Sequence, residues 1–353
     1  MKSLATGCLR LGAVALFAGC AGLQPSTGAP GSVSQSGNTM GLMPHHVQRL
    51  AHLDRGRSWM LPQKEGARST LIYTANEQTN DVSVYDYSDG KFVGKLTGFD
   101  EPYNGCVDAK GDVYIGDYAV GNTVEFAHGG TKVINTYDSG GTPIGCSVDS
   151  KGDVAVTSFD PGEAVVFAGG NPKKGATYSG GACTYLWSMG YDHSGNLIGV
   201  GETSSGGRCY AGLLAGATSM SSLSFSGTID FPGRTMWDGK YIALGDQDAG
   251  GTFNTGIYPS TLTGSTLSPV GSEVVFTDTC YNNYSDIENA FIVGKKNTPV
   301  NDQQGKVVVG INGWCADGGS GGGIKFWHYP QGGNPFKNYS KDSGTVLAVS
   351  IGT

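Results

Sequence analysis

The sequence predicts an all-β protein, a six-bladed β-propeller closed by its C-terminal strand. The main evidence is a repeat of about 41 residues: segment 142–154 reuses the pattern of segment 101–113, and Pro143 follows Pro102 by 41 residues. A period near 40 that contains short apolar runs and Gly/Asp turns is typical of a propeller blade. The composition agrees, because 59 glycines in 353 residues and only 15% charged residues describe a turn-dense β protein.

Each repeat contains a predicted tight turn between its first and second strands. Asp108, Asp149 and Asp192 each stand three residues before a glycine and between two apolar runs. In a D-x-x-G turn the aspartate bonds back to the turn backbone and the glycine takes a positive φ. We therefore interpret these aspartates as turn formers and not as catalytic carboxylates.

Six second strands predict six blades. They are expected to begin near residues 71, 113, 154, 197, 241 and 307. The first blade lacks one strand and the run 345–351 is left over, so we expect the two to pair and remove free sheet edges. The long interval before the last blade is interpreted as an extended first strand with an inserted loop over 278–304. A seventh, degenerate blade is the alternative.

A short apolar run near the N-terminus indicates export. Lys2 and Arg10 flank this run, 11–17, which is too short to span a bilayer in the mature chain. It is therefore typical of a cleaved signal peptide, which we place at residues 1–19.

The residues after this run predict a lipid anchor. Two small residues before Cys20 form a lipobox, in which Cys20 becomes the lipidated N-terminus. Because Phe17 stands where leucine is usual, the alternative is an ordinary signal cleaved near Ala21. Residues 20–56 form a flexible tether that begins Gly-, Ser-, Pro- and Gln-rich, and residues 57–353 form the propeller. The expected location is the bacterial cell envelope, at the outer membrane, on its periplasmic or surface side.

The charge limits the class of partner. The formal net charge is −7, and it becomes −9 once the two cations of the signal are removed. An acidic chain without basic clusters argues against binding to nucleic acid or to an anionic membrane surface. We expect membrane contact through the lipid alone.

The cysteines predict disulfides. Of eight cysteines, six remain after signal cleavage and lipidation, and an even number suits an oxidising compartment. The expected pairs are Cys183–Cys209, Cys280–Cys315 and Cys106–Cys146. The first two would join strands of one blade. Cys106 and Cys146 are 40 residues apart in a 41-residue repeat, so their positions in the aligned blades differ by one. Because side chains alternate faces along a strand, one cysteine can point forward to the next blade while the other points back. This permits a bridge between the second and third blades.

Several segments carry a family resemblance. They are 57–62, 71–75, 80–85, 90–98, 101–103, 133–146 and 326–335. Together they resemble uncharacterised bacterial lipoproteins with a propeller of the NHL or YVTN type. The resemblance covers about residues 57–353. It implies the fold and export, and it implies no particular activity.

The loops between second and third strands form the expected functional rim. They carry one acid in every blade: Glu77, Asp117, Asp160, Glu202, Asp246 and Asp317. Loops that lead into the first strands add further candidates on the same face: Asn104, Tyr185, Trp187, Arg234 and Tyr281. Six carboxylates around one rim are a candidate site for Ca²⁺ or a cationic ligand, because hard cations bind several oxygens. The alternative is that these acids only solvate turns, with no cofactor at all.

Two functions follow from these features. The favoured one is a binding or scaffolding lipoprotein that holds a protein, glycan or small ligand at the rim, because aromatic residues dominate recognition surfaces. The alternative is a calcium-dependent hydrolase resembling the gluconolactonase and phosphotriesterase propellers. The closing strand 345–351 carries no acid and departs from that pattern, and no Ser-His-Asp order or G-x-S-x-G motif is present. A subunit of an outer-membrane assembly machine is a third possibility without a supporting motif.

Overall fold

The computed structural model describes residues 56–64, 69–76, 79–252, 254–277, 291–293, 304–312, 323–340 and 346–352. The chain divides into two compact units, residues 1–42 and 43–353, and all described residues belong to the second. In this described part no helix is both long and apolar enough to cross a membrane.

The described residues form strands and two short 3₁₀ turns. In the first half of the chain the strands are β1 (Trp59–Met60), β2 (Leu71–Asn76), β3 (Asp81–Asp86), β4 (Phe92–Thr97), β5 (Pro102–Val107), β6 (Val113–Asp117), β7 (Asn122–Phe126), β8 (Val133–Asp138), β9 (Pro143–Val148), β10 (Val154–Ser158), β11 (Glu163–Phe167) and β12 (Gly175–Ser179). The remaining strands are β13 (Tyr185–Tyr191), β14 (Leu197–Glu202), β15 (Arg208–Leu213), β16 (Ser221–Phe225), β17 (Pro232–Trp237), β18 (Ile242–Asp246), β19 (Thr255–Thr263), β20 (Thr266–Pro269), β21 (Val274–Phe276), β22 (Phe291–Val293), β23 (Val307–Asn312), β24 (Gly323–His328), β25 (Lys337–Ser340) and β26 (Val346–Gly352). The 3₁₀ turns are Ala168–Gly170 and Ala249–Gly251.

Consecutive strands pair as antiparallel sheets. The groups β5–β8, β9–β12 and β22–β25 each form a four-stranded sheet. A nine-stranded sheet contains the group β13–β16 and the group β17–β21, joined by a parallel pair between β16 and β20. The first sheet has the strand order β26–β2–β3–β4–β1. The all-β prediction is therefore confirmed.

The C-terminal strand completes the first sheet, as predicted. It pairs antiparallel with β2, from Gly352 opposite Leu71 to Val346 opposite Asn76. On its other side β26 lies beside β5 of the next sheet. The N-terminal strand β1 pairs with β4 and adds a fifth strand at the opposite end of this sheet.

The tight turns have the predicted chemistry. Asp108 accepts backbone N–H bonds from Lys110 at 2.8 Å and from Asp112 at 2.9 Å. Asp149 and Asp192 accept the two equivalent bonds in their own turns. The glycines of these turns all have positive φ: Gly111 (+88°), Gly152 (+83°) and Gly195 (+81°). These aspartates are turn formers.

Six apolar clusters pack the strand groups against one another in the described part of the chain. Five of them each take buried side chains from two successive groups. The sixth joins β23 and β24 to β2 and β3, and thus connects the last group to the first. At this last contact the rings of Tyr87 and Phe326 lie 5.4 Å apart. Burial of apolar surface therefore operates between every successive pair of groups.

One part of the fold was not anticipated. Within the long interval before the last group, β19 and β20 form a hairpin with Gly264 at a positive φ of +59° in its turn. Strand β20 also pairs with β16 of the preceding group. Most of the predicted insertion, 278–304, lies outside the described residues.

Two of the three predicted disulfides are present. Cys106 in β5 bonds to Cys146 in β9 and joins two successive sheets. Cys183, two residues before β13, bonds to Cys209 in β15 of the same strand group. The predicted pair Cys280–Cys315 lies outside the described residues.

Candidate functional site

The rim acids lie where the second strands end, and the first strands begin beside them. The register pairs are Asp117–Pro102, Glu202–Tyr185 and Asp246–Pro232. We call this the loop-bearing edge. Asp160 lies in the β10–β11 turn and is exposed. Three further predicted rim residues lie outside the described residues: Glu77, Tyr281 and Asp317.

Two of these acids hold the loop that leads into the neighbouring first strand. Asp117 accepts the backbone N–H of Asp100 at 2.9 Å. Asp246 accepts the backbone N–H groups of Asp230 at 2.7 Å and Phe231 at 2.9 Å. A buried carboxylate thus satisfies loop donors that would otherwise lack a partner. The structure accounts for both side chains without a ligand.

Burial also raises the pKa of these two carboxyls. It raises the pKa of Asp117 to about 7, and the neighbouring acids Asp100 and Glu101 act in the same direction. Burial likewise raises the pKa of Asp246, although three backbone N–H bonds oppose the shift. A desolvated carboxyl disfavours its charged form. Part of the Asp117 population is therefore neutral near pH 7.

Glu202, the remaining buried rim acid that the structure describes, has partners of its own. Glu202 forms an ion pair with Arg208. It also accepts a long bond from the indole N–H of Trp187 at 3.4 Å. Among the described residues, no group of three or more His, Cys, Asp or Glu side chains is arranged to hold a metal ion.

Four half-buried aromatic side chains form a continuous row along the loop-bearing edge. The aromatic row consists of Phe159, Tyr185, Trp187 and Phe231. Phe159 stacks on Tyr185 with ring centroids 5.0 Å apart, and Trp187 contacts both Phe159 and Phe231 edge-on at 5.0 Å. Sequence reasoning identified Tyr185 and Trp187. It missed Phe159 and Phe231, which come from neighbouring strand groups.

Beside the aromatic row, the first strands border a small depression with room for about one water molecule. This central depression is lined by Tyr103, Ile144, Trp187, Ser188, Gly233, Arg234 and Gln247. The lining residues come mainly from β5, β9, β13 and β17, which lie side by side in that order. Four strand groups thus share one site.

Five of the seven lining residues lie at register irregularities of the first strands. Every one of these first strands skips one or two residues in its pairing with the second strand. The skipped residues are Tyr103 and Asn104 in β5, Ile144 in β9, Trp187 in β13, and Gly233 and Arg234 in β17. A bulge re-aims side chains away from the regular alternation. Asn104, Tyr185, Trp187 and Arg234 therefore belong to the strands themselves, where sequence reasoning had placed them in the preceding loops.

Glycines of the second strands allow the bulged first strands to lie close against them. A Cβ atom on Gly245 would lie 2.7 Å from the carbonyl oxygen of Arg234, and one on Gly201 would lie 2.1 Å from that of Tyr185. Any larger residue would displace the bulged strand. A glycine followed by an acid recurs at the end of the second strands, as Gly116-Asp117, Gly201-Glu202 and Gly245-Asp246. These glycines could have indicated the bulges, but the sequence analysis considered only the acids.

Arg234 spans strand groups that are distant in sequence. Its side chain donates to the carbonyl oxygen of Gly105 at 2.8 Å and to the amide oxygen of Asn104 at 3.3 Å. Asn104 in turn donates to the carbonyl oxygen of Ile144 at 2.7 Å. Only 8% of Arg234 is exposed. Burial lowers the pKa of Arg234 to about 10.

Comparisons with known proteins agree on the fold. A chain of a nidogen/laminin complex has a TM-score of 0.57 at 10% identity, with 80% of this chain and 98% of that one covered. TolB from Acinetobacter baumannii has a TM-score of 0.54 at 17% identity, covering 80% and 66%. A protein of unknown function from Bacteroides caccae has a TM-score of 0.55 at 12% identity, covering 80% and 99%.

These likenesses, together with the antiparallel sheets, show a β-propeller. At such low identities they establish the fold alone. No protein-family model matches the chain, and no curated protein does.

Proposed function

We propose that this chain is an exported, lipid-anchored, six-bladed propeller that acts as a binding or scaffolding module through its loop-bearing edge. Six strand groups and six apolar clusters that connect them in succession support the blade count. The N-terminal apolar run 11–17, followed by two small residues and Cys20, supports the anchor.

The observation that carries the binding function is the aromatic row beside the central depression. Half-buried aromatic side chains offer a large apolar contact area at a low cost in conformational entropy, and Trp and Tyr dominate binding hot spots. Bulges in four neighbouring strands aim side chains into one depression.

The calcium-dependent hydrolase is the weaker alternative. The described rim acids are each held by their own backbone or Arg208 partners, or exposed, and they do not converge. The outer-membrane assembly subunit likewise gains no specific observation, because the likeness to TolB concerns the fold only.

Binding at the aromatic row predicts a strong dependence on Trp187. Full-length protein in detergent micelles is tested on a glycan array and a peptide array, and each hit is titrated by tryptophan fluorescence. We expect Trp187→Ala to weaken binding about tenfold or more, the size of a hot-spot loss. Trp59→Ala is the matched control, because Trp59 is 40% exposed on the terminal strand β1 of the first sheet. Equal affinities for wild type and Trp187→Ala, or no hit on either array, would refute the proposal.

The location has its own test. We expect Cys20→Ser to move the protein from the membrane fraction to the soluble fraction and to abolish globomycin-sensitive processing, since one cysteine receives the lipid. Unchanged fractionation and processing would show that the lipobox interpretation is wrong. The control is Cys8→Ser, which lies inside the signal and keeps the lipobox.

A further inference from the structure

One end of the aromatic row already holds a cation of the chain itself. The Arg208 guanidinium lies over the ring of Phe231, 5.6 Å from the ring centroid. The same guanidinium forms an ion pair with Glu202, and its Nε donates to the carbonyl oxygen of Asp230 at 3.1 Å. A guanidinium binds favourably where an aromatic face and a carboxylate lie together, because it stacks on the ring and donates to the acid.

The other end of the row has a carboxylate with no counter-charge among the described residues. Asp160 follows Phe159 in the chain and is exposed, and its hydrogen bonds with Thr142 use its backbone N–H and carbonyl oxygen. It forms no ion pair with any described residue. Its charge also acts on a further aromatic side chain: burial raises the pKa of Tyr118, and the nearby carboxylates of Glu101 and Asp160 raise it further. An exposed acid thus lies next to Phe159 and near Tyr118, which are both half-buried.

The shape of this surface favours a polypeptide over a small molecule. The row crosses three strand groups, from Phe159 to Phe231, and the depression beside it has room for about one water molecule. A ligand must therefore lie across the surface, as a protein partner does, because small molecules are bound in enclosing pockets. The formal net charge of −7 favours a cationic partner.

We propose that the aromatic row docks an arginine-bearing segment of a partner protein, with a guanidinium of the partner at Asp160 and against Phe159 and Tyr118. This rests on the proposed binding function and names the partner chemistry of that site. Arginine suits the site better than lysine, because a planar guanidinium stacks on a ring while it donates to a carboxylate. Arg208 makes this pair of contacts within the chain, on Phe231 and Glu202.

The test compares two peptides that differ only in charge. One is a hexapeptide of alternating glycine and arginine, blocked at both ends, and the other has citrulline, which is neutral, in place of each arginine. Both are titrated by calorimetry against full-length protein in uncharged micelles at low salt, with chitotetraose as a neutral glycan. We expect the arginine peptide to bind at least about tenfold more tightly than either other probe, since only the arginine peptide gains cation–π contacts and a charged acceptor.

Three variants locate the effect. Asp160→Asn keeps the size of the side chain and removes its charge, so the preference for arginine over citrulline should fall at least about threefold. Phe159→Leu keeps an apolar side chain and removes the ring, and should weaken binding of the arginine peptide about threefold. Asp89→Asn is the matched control, because it removes an exposed charge from the turn between β3 and β4, at the other end of the strands, and should leave the preference unchanged. If Phe159→Leu fails to fold, Asp160→Asn decides, since its side chain is exposed.

Each other outcome overturns the inference. Equal binding of the two peptides, tighter binding of chitotetraose, a preference kept in Asp160→Asn or one lost in Asp89→Asn would each contradict it, as would unchanged affinity in a folded Phe159→Leu protein. If the arginine peptide does not bind while a Trp187-dependent hit is found on the arrays, the inference fails and the proposed function stands. If the arrays also show no hit, both fail.

Discussion

A chain that stops after residue 344 is expected not to fold. Strand β26 pairs along β2, from Leu71 to Asn76, and all six residues of β2 are buried. Without β26 the backbone N–H and C=O groups along one side of β2 lose their partners in the interior, and each unpaired buried group costs about 1–3 kcal/mol. The contact between β26 and β5 is lost as well. The summed cost reaches the whole stability of a typical domain, about 5–15 kcal/mol.

Circular dichroism and thermal unfolding of the truncated chain measure this effect. A chain that lacks only Thr353 is the control, and it should melt like the full chain. A synthetic peptide of residues 344–353, added in excess, should restore a cooperative transition because it supplies the missing strand. A truncated chain that melts cooperatively at the wild-type temperature would show that the pairing of β26 with β2 does not contribute to the stability of the fold.

Removal of the disulfide between Cys106 and Cys146 is expected to lower the free energy of unfolding by about 2–4 kcal/mol, because the cross-link restricts the unfolded chain. The bond joins β5 and β9, which belong to successive sheets, and its residues are 40 apart in sequence. Urea unfolding of the double variant Cys106→Ala/Cys146→Ala measures the loss. Both cysteines are buried, so the variant also loses packing contacts.

The second bridge provides the matched comparison. The bond between Cys183 and Cys209 closes a shorter segment, 26 residues, within one strand group. Its double alanine variant should lose a similar or slightly smaller free energy, since the entropy term varies only slowly with loop length. A stability loss below about 0.5 kcal/mol in the Cys106/Cys146 variant would contradict the assignment, as would free thiols at those positions in peptide mapping of the exported protein.

Local features were predictable from the sequence because they depend on neighbours in the chain. Second strands begin at residues 71, 113, 154, 197 and 307 as expected, and at 242 where 241 was expected. The aspartate of each turn bonds to N–H groups two and four residues later. Such contacts repeat with the sequence motif and need no knowledge of other sheets. Strand parity likewise permitted the bridge between Cys106 and Cys146, which the structure contains.

The candidate site, in contrast, depended on contacts between distant strands. Rim acids such as Asp117 and Asp246 turned out to be bound to the backbone of a loop 15 to 17 residues away. The aromatic row brings together residues from three strand groups, 72 positions apart between Phe159 and Phe231.

What the sequence by itself determined was therefore the repeat, its turns, its strands and the residue types available at each blade. What only the tertiary structure decided was which side chains meet. Arg234 reaches Gly105, 129 positions earlier, because a bulge turns it out of the regular alternation and four first strands converge on one depression. The periodicity of a sequence indicates which residues share one face of a single strand. The positions of bulges, and the strands that meet at one site, depend instead on how whole sheets pack against each other.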